Sequence, residues 1–309
     1  MTTVRNILSC LGLVALALFS GACEEPVAPV SVPDTIGMTQ AAAEAAITGI
    51  GLACGTVTEQ HHATIPAGDV ISQEPVSGSN VAPGAAVDLI VSSGSPYSGG
   101  DGSSDSPYLI STAEDLLYLT NPDDSGDWDK HFVMTNDIDM VNVTGFTPIA
   151  PDTDLDPEDH NGAKFSGIFD GNGHSIQNLV IDLPLQSYVG LFGCLDSDGT
   201  VKNLGVEGEA ITGLAAVGGL VGESYGTVTD CYATGGVTGG WFVGGLVGQN
   251  YNAMHDCHAT STVEGGEETG GLVGGNYCGT IADCYATGTV TGSDMVGGLA
   301  GVSVSGCVG

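Results

Sequence analysis

A five-residue segment, Gly-Gly-Leu-Val-Gly, recurs along the second half of the chain at a nearly constant interval. It begins at Gly218, Gly244 and Gly270 and returns, with Ala300 for Val, at Gly297, so that the steps are 26, 26 and 27 residues. A unit this short and this rich in glycine cannot bury a hydrophobic core alone. Neighbouring copies must therefore stack, with each strand pairing to the next turn about 4.8 Å away. The spacing predicts a parallel β-helix, or β-solenoid.

Stacking places equivalent residues of successive turns in ladders along the solenoid. We predict one interior leucine ladder and one interior valine ladder, formed by Leu220, Leu246, Leu272 and Leu299 and by Val237, Val263 and Val290. A second segment, Asp-Cys-Tyr-Ala-Thr, recurs from Asp230, Asp256 and Asp283, with His258 in the Tyr position of the middle copy. Its cysteines are predicted to be buried thiols, because a parallel ladder of one cysteine per turn does not favour disulfides.

The charge balance excludes several classes of function. The 309 residues include 37 acidic and 4 basic ones, a formal net charge of −33, and no arginine follows Arg5. Nucleic-acid binding needs Lys and Arg to neutralise phosphates, so we expect no nucleic-acid partner. Anionic membrane surfaces should repel the chain for the same reason.

The N-terminus has the pattern of a secretory signal peptide over residues 1–22, with an apolar run from Leu8 to Phe19 and a small-residue cleavage site. Cys23 follows at once, and residues 19–23 resemble the lipobox of bacterial lipoproteins. The resemblance implies acylation of Cys23, followed by an extended tether over 23–30. The alternative is ordinary cleavage after Ala22, which gives a secreted protein. No later segment is apolar for long enough to span a bilayer, so we expect an extracytoplasmic protein that contacts the membrane only through an N-terminal lipid anchor.

Residues 31–94 predict a small α+β domain. Thr39 is a candidate N-cap for a helix from Gln40 to Ile47, and three strand-like runs follow at residues 55–60, 69–73 and 85–92. The residues resemble the PASTA domain from end to end, on the segments Val32–Asp34, Gly37–Thr39, Ile65–Gly68, Val70–Gln73, Pro83–Gly84 and Val87–Ser92. The resemblance implies a module associated with the cell wall, known from penicillin-binding proteins and Ser/Thr kinases, in which some copies contact peptidoglycan.

Residues 95–106 are rich in Gly, Ser and Asp and predict a flexible linker, which leaves 107–309 for the solenoid. The repeats over 189–309 resemble the GLUG motif, which is known in bacterial surface proteins and in some IgA-cleaving metallopeptidases. The zinc-protease signature His-Glu-x-x-His is absent from the sequence, so we carry over no peptidase activity. Ser111–Glu114 has capping-box spacing and predicts a short helix through Leu119 that covers the open end of the solenoid.

Two sets of residues are candidates for ligand binding. If Cys231 and Ala233 point inward, Tyr232 points outward, and Tyr232, His258 and Tyr285 form an exposed column that could stack on sugar rings. Tyr225, Tyr251 and Tyr277 form a second column. The alternative is that both columns pack along a sheet for stability alone.

Asp152, Asp154 and Asp156 form an acidic loop that could hold Ca²⁺ through oxygen ligands. The alternative is a solvated acidic surface. His255–His258 brings together residue types that bind metals, but adjacent strand residues point to opposite faces, so we expect no metal site there. Apart from Ca²⁺ we expect no cofactor.

We therefore expect a non-catalytic bacterial cell-surface or secreted protein that binds or adheres, with peptidoglycan, surface glycans or surface proteins as partners. One alternative is a polysaccharide-active β-helix enzyme, because paired carboxylates can act on a glycosidic bond. Another is a purely structural spacer. The next Asp-Cys segment is expected near residue 311, so we also expect the native gene product to be longer.

Overall fold

The computed structural model describes residues 28–62, 65–121, 126–156 and 159–304. The predicted signal peptide, Cys23 and most of the tether lie outside these residues. The chain divides into two units: the first contains the residues up to Thr58 together with Asp69–Val91, and the second contains Glu59–Gly68 and the residues from Ser92 onward.

The first unit is a helix on a small three-stranded sheet, as predicted. Helix α1 (Gln40–Gly49) begins after Thr39, whose hydroxyl accepts a hydrogen bond from Ala42 N at 3.4 Å. Its buried face, Ala43 and Ile47, packs into a core with Val87 and Leu89. The strands of this unit are β1 (Val30–Ser31), which pairs with β4 (Asn80–Val81), and β2 (Ala53–Gln60), β3 (Val70–Glu74) and β5 (Ala86–Ser92) in the order β2-β5-β3, with β3 antiparallel to the central strand β5.

The second unit is a parallel β-solenoid of about seven turns, which confirms the predicted fold class. Its described strands form four sheets, here called sheets I to IV. Sheet I contains β6 (Tyr108–Ile110), β7 (His131–Met134), β9 (Ile168–Asp170), β13 (Thr200–Lys202), β17 (Thr227–Thr229), β21 (Ala253–His255) and β26 (Thr280–Ala282). Sheet II contains β8 (Ile138–Asp139), β10 (Ser175–Gln177), β11 (Val180–Asp182), β14 (Gly205–Thr212), β18 (Tyr232–Thr238), β22 (His258–Ala259), β23 (Thr262–Glu264), β27 (Tyr285–Ala286) and β28 (Val290–Thr291).

Sheets III and IV carry the Gly-Gly-Leu-Val-Gly segments. Sheet III contains β15 (Ala215–Gly218), β19 (Trp241–Gly244), β24 (Glu267–Gly270) and β29 (Asp294–Gly297). Sheet IV contains β12 (Phe192–Leu195), β16 (Val221–Ser224), β20 (Val247–Asn250), β25 (Val273–Tyr277) and β30 (Ala300–Val304). Each strand pairs in parallel with the equivalent strand of the next turn, so that Val221, Val247 and Val273 are in register.

The predicted interior ladders are present, and they weaken at the last described turn. Leu220, Leu246 and Leu272 have no exposed surface, whereas Leu299 is 39% exposed because no further described turn stacks on it. Val237 and Val263 are likewise fully buried, and Val290 is partly buried against the same core.

The helix that covers the first turn is present, but its cap is one residue away from the predicted position. Helix α2 (Ala113–Leu119) has Thr112 as its N-cap, and the reciprocal partner of the capping box is Asp115 rather than Glu114. Asp115 Oδ2 also accepts hydrogen bonds from Ser111 N and the Ser98 hydroxyl, which fixes the carboxylate on this side of the helix. The opposite face buries Leu116 and Leu119 in the solenoid core.

The predicted flexible linker over 95–106 is instead folded against the second unit. Tyr97 is 4% exposed and its ring lies 4.4 Å from that of Tyr108. Leu109 N donates a hydrogen bond to the Gly99 carbonyl, and Ser98 N donates one to the Leu109 carbonyl, so the segment pairs with β6. The composition of this segment did not predict the packing, because Tyr97 is a single large aromatic residue among small and polar ones.

Candidate functional site

A left-handed residue interrupts each strand of sheet III and builds one wall of a groove. Ala216, Phe242, Glu268 and Met295 have φ between 48° and 56°, and Tyr188 in the preceding turn has φ of 58°. The flanking residues pair across the sheet, as Ala215 does with Trp241 and Val217 with Val243. We call these five residues the kink column.

The last glycine of the Gly-Gly-Leu-Val-Gly segment is explained by this column. A Cβ on Gly248 would lie 2.5 Å from the carbonyl carbon of Ala216, and one on Gly274 would lie 2.3 Å from that of Phe242. Glycine is needed there because the kinked backbone approaches too closely for any side chain. The motif thus shapes the groove as well as the core.

The opposite wall is the tyrosine column Tyr225, Tyr251 and Tyr277. The Tyr225 and Tyr251 rings stack with centroids 4.7 Å apart and planes 13° apart, and Tyr251 and Tyr277 stack at 5.5 Å. The Tyr277 hydroxyl donates a hydrogen bond to Glu268 of the kink column. This bond joins the two columns one turn beyond Phe242 and Tyr251, which line the groove.

Two polar side chains form the floor beneath the tyrosines. Glu223 and Gln249 are paired in register and are 5% and 8% exposed. The Tyr225 hydroxyl donates to Glu223 Oε1 at 3.1 Å, and the Cys194 thiol donates to Oε2 at 3.5 Å. Burial raises the pKa of the Glu223 carboxyl, although the nearby Lys164 opposes this shift. A carboxyl of raised pKa in a cleft is typical of a functional site.

A loop supplies one end of the groove through Asp159, His160 and Lys164. The Lys164 ammonium lies 4.1 Å from the centroid of the Tyr225 ring, a cation–π contact. His160 packs edge-on against Tyr188 at 5.4 Å, and burial lowers its pKa, which favours the neutral imidazole. The groove has a volume of about 460 Å³, within the range of ligand sites.

The predicted column Tyr232, His258 and Tyr285 is present on sheet II, but its rings stack on one another rather than presenting their faces to solvent. The centroids are 5.1 and 4.9 Å apart with planes 8° apart in both pairs, so neighbouring rings cover each other's faces. The Tyr232 hydroxyl donates to Glu207, and the remaining face of Tyr232 overlies Gly205. Tyr285 is 53% exposed. A sugar would therefore meet mainly ring edges, which favours the alternative that the column stabilises the sheet.

The predicted calcium residues are separated by the structure. Asp152 is 3% exposed, whereas Asp154 and Asp156 are exposed and are joined by a hydrogen bond from Asp156 N to Asp154 Oδ1. Other acidic pairs are scattered, with Asp137 accepting from Ser175 N and Asp139 from the Asn178 amide. Within the described ranges, no three metal-binding side chains of His, Cys, Asp or Glu come together.

The cysteines of the repeat are free thiols, as predicted. Cys231 and Cys257 are buried and Cys284 is partly buried. Burial raises the pKa of Cys231 well above its usual value. By contrast, Cys278 is disulfide-bonded. The lipidation candidate Cys23 lies outside the described residues.

The first unit has a cleft of its own on the three-stranded sheet. It has a volume of about 510 Å³ and its lining includes Thr56, Thr58, Ser72 and Asp88. Asp88 Oδ1 accepts a hydrogen bond from Thr56 N at 2.6 Å, which fixes one side of the cleft.

Fold and sites together define a parallel β-solenoid preceded by a small α+β module. Family models match both parts: the PASTA domain over residues 30–93, and the GLUG motif over 213–238, 239–264 and 265–291. The chain therefore contains a PASTA domain followed by three GLUG motifs, as its residues predicted.

Similar proteins share parts of this architecture. Halomucin from Haloquadratum walsbyi is 36% identical over 148 residues, which are 45% of this chain and 2% of halomucin. A protein from Evansella cellulosilytica, named as a candidate Gly-rich membrane protein, is 37% identical over 137 residues, which are 43% of this chain and 15% of that protein. The chain thus spans only a small part of these relatives.

A solved structure from Bacteroides ovatus shares the fold. It is described as a candidate immunoglobulin A1 protease, and it aligns with a TM-score of 0.58 at 23% identity over 69% of this chain and 66% of that one. Within the described part of this chain, neither helix is long and apolar enough to cross a membrane.

The sequence identified the tyrosine column but missed the kink column. The sequence does mark the positions of the kink column, because each lies directly before a repeated Val-Gly-Gly or Thr-Gly-Gly segment. The residues at these positions differ in type: they are Ala216, Phe242, Glu268 and Met295. A left-handed conformation at such residues is not expected from their type.

Proposed function

We propose that the protein is a non-catalytic extracytoplasmic surface protein whose PASTA domain associates with peptidoglycan and whose solenoid binds neutral saccharides in the groove. The observation that carries the saccharide assignment is the groove itself, about 460 Å³ between the kink and tyrosine columns. The surface location is supported by the PASTA and GLUG matches and by the names of the two relatives.

The polar groups of the groove favour an uncharged ligand. The Gln249 amide, the neutral imidazole of His160 and the tyrosine hydroxyls offer hydrogen bonds without net charge, and burial raises the pKa of Tyr251 to about 12. Lys164 and Asp159 carry opposite charges, and burial raises the pKa of Glu223, which favours its neutral form. A net charge of −33 repels anions at longer range, which disfavours uronates and phosphates.

The aromatic lining favours a sugar among uncharged ligands. Phe242 and the edges of Tyr225 and Tyr251 offer apolar surface beside the hydrogen-bonding floor. A saccharide has the matching pattern, because its hydroxyl groups and its apolar C–H surfaces alternate around each ring.

Filling the groove tests the proposal. Ala216→Phe adds a ring at a kink position whose neighbours already carry Tyr188 and Phe242 at φ of 58° and 54°. The matched control is Met295→Phe, in the same column but outside the groove lining. We expect the protein to bind at least one of cellotriose, maltotriose and chitotriose with a Kd of about 1 mM or tighter in calorimetry. We expect Ala216→Phe to abolish binding and Met295→Phe to keep it.

A second variant covers the case in which Ala216→Phe does not fold. Gln249→Leu removes one uncharged hydrogen-bonding group and should weaken binding about threefold to tenfold. Tighter binding of trigalacturonate than of every neutral trisaccharide contradicts the charge argument. Equal binding by both groove variants and the native protein contradicts the site.

Glu223 favours a second candidate function, a glycoside-cleaving enzyme. Its buried carboxyl has a raised pKa and shares the groove with Asp159, as an acid and a base on a glycosidic bond would. Chromatography of the same oligosaccharides after incubation separates the two functions. Shorter products that disappear with Glu223→Gln support the enzyme, and unchanged oligosaccharides support the binding protein.

A further inference from the structure

Two buried side-chain oxygens close to one another in the fold have no hydrogen-bond donor among the described residues. They are Asp152 Oδ2 and Ser187 Oγ, on residues that are each 3% exposed. The other oxygen of Asp152 is satisfied, because Oδ1 accepts from Thr153 N at 3.0 Å and from Asn161 N at 2.9 Å. A buried carboxylate oxygen without a partner is strongly destabilising, so it calls for an explanation.

Asp152 and Ser187 line the same cavity, which has a volume of about 200 Å³. The Gln186 side chain also lines this cavity. Gln186 Nε2 donates a hydrogen bond to the Asp152 backbone carbonyl at 3.0 Å, which joins the segment that carries Asp152 to the segment that carries Ser187. The cavity is distinct from the saccharide groove, although Tyr188 contributes to both.

No protein cation compensates Asp152 within the described residues. Lys130 and Lys202 pair with Asp129 and Asp170, and Lys164 lies over the Tyr225 ring. The Asp152 charge favours protonation of His160, but burial outweighs this effect and lowers the His160 pKa, and His160 Nε2 lies 3.3 Å from the Ala150 carbonyl. Among the described residues none of these groups forms an ion pair with the Asp152 carboxylate, so a bound cation could balance its charge.

We propose that Asp152 and Ser187 bind a Ca²⁺ ion in this cavity. A carboxylate and a hydroxyl are hard oxygen ligands, and Ca²⁺ takes about six to eight such ligands at about 2.3–2.6 Å in irregular geometry. The cavity has room for an ion and for water molecules that complete its coordination. Mg²⁺ is a poorer fit, because it demands near-octahedral geometry from a site that supplies two side chains.

The site differs from the one that the acidic loop suggests. Asp154 and Asp156 are exposed and do not line the cavity, and Ser187 comes from a different turn. Because Asp152 Oδ1 accepts from Asn161 N, the ion would also hold the base of the loop that carries Asp159 and His160.

Thermal unfolding of the full chain tests the site. After treatment with EDTA, Tm is measured in buffer, in CaCl₂ and in MgCl₂ at equal ionic strength, and Ca²⁺ binding is measured by calorimetry. We expect Ca²⁺ to raise Tm by several degrees, because a ligand at about 100 times its Kd stabilises the folded state. Mg²⁺ should give a clearly smaller rise.

Two variants and one control locate the effect. Asp152→Asn and Ser187→Ala should each reduce the Ca²⁺-dependent rise, whereas Asp154→Asn, an exposed residue of the same loop, should retain it. In EDTA, Asp152→Asn should be at least as stable as the native protein, because the amide removes the unpaired charge. A Tm that does not respond to Ca²⁺, an equal response to Mg²⁺, or an equal loss in Asp154→Asn overturns the proposal.

Discussion

Glu209 is a buried carboxyl in the solenoid, and its replacement by Gln should stabilise the protein in a pH-dependent way. The residue is 2% exposed where the pairing of β14 with β18 shifts register between Glu207 and Glu209. Oε2 accepts from Thr234 N at 3.1 Å, and Oε1 lies 2.8 Å from the Ser261 hydroxyl. Burial, partly opposed by these hydrogen bonds, raises the pKa of Glu209 to about 7 from 4.5.

The raised pKa sets the direction and the size of the effect. Below pH 4.5 both the folded and the unfolded chain hold the proton, and the stability is complete. Between pH 4.5 and about 7 the unfolded chain releases the proton while the folded chain keeps it, so the free energy of unfolding falls as pH rises. The total loss is about 3 kcal/mol, at about 1.4 kcal/mol per pH unit.

Glu209→Gln removes this loss and keeps both contacts. The amide oxygen can accept from Thr234 N, and the amide nitrogen can donate to the Ser261 hydroxyl. Relative to the native protein, the variant should gain little stability at pH 4.5 and about 3 kcal/mol at pH 8.

Urea denaturation at half-unit pH steps measures this difference. Comparison of the two proteins at each pH cancels the contributions of the other carboxyls. The control is Glu264→Gln, on exposed surface in β23, which should show no such trend. A difference between native protein and Glu209→Gln that stays constant from pH 4.5 to 8 would refute the argument from burial.

Three further predictions concern the rest of the chain. Leu246→Asp places an unpaired carboxylate in the leucine ladder at a cost of several kcal/mol, so hydrogen exchange should show lost protection in both flanking turns; loss confined to one turn contradicts stacking. Thr58→Trp blocks the PASTA cleft and should reduce cosedimentation with peptidoglycan sacculi, whereas Thr48→Trp on α1 should not; equal sedimentation of both contradicts a role for the cleft. Mass spectrometry of the mature N-terminus should find an acylated Cys23, and an unmodified Cys23 contradicts the lipid anchor.

The fold was predictable because the repeat encodes it directly. Stacked turns require equivalent residues to meet, so the interval between Leu220, Leu246 and Leu272 is enough to predict parallel pairing and burial. The PASTA domain was predictable for a different reason: its turns and cap depend on local signals such as Thr39. The segment over 95–106 was not, because composition reports average polarity and Tyr97 is a single exception.

The groove could not be predicted from the repeat, because it depends on the positions at which the repeat fails. Along sheet IV the inward position repeats as Val221, Val247 and Val273, which is what stacking requires. The position two residues later, at which Glu223 and Gln249 line the groove, changes at every turn, from Cys194 through Glu223 and Gln249 to Gly275 and Val302. Stacking does not require the residues at this second position to be alike, so they are free to vary and to contact a ligand. In such a solenoid the repeated residues therefore predict the fold, and the residues that depart from the repeat indicate where a ligand-binding site lies.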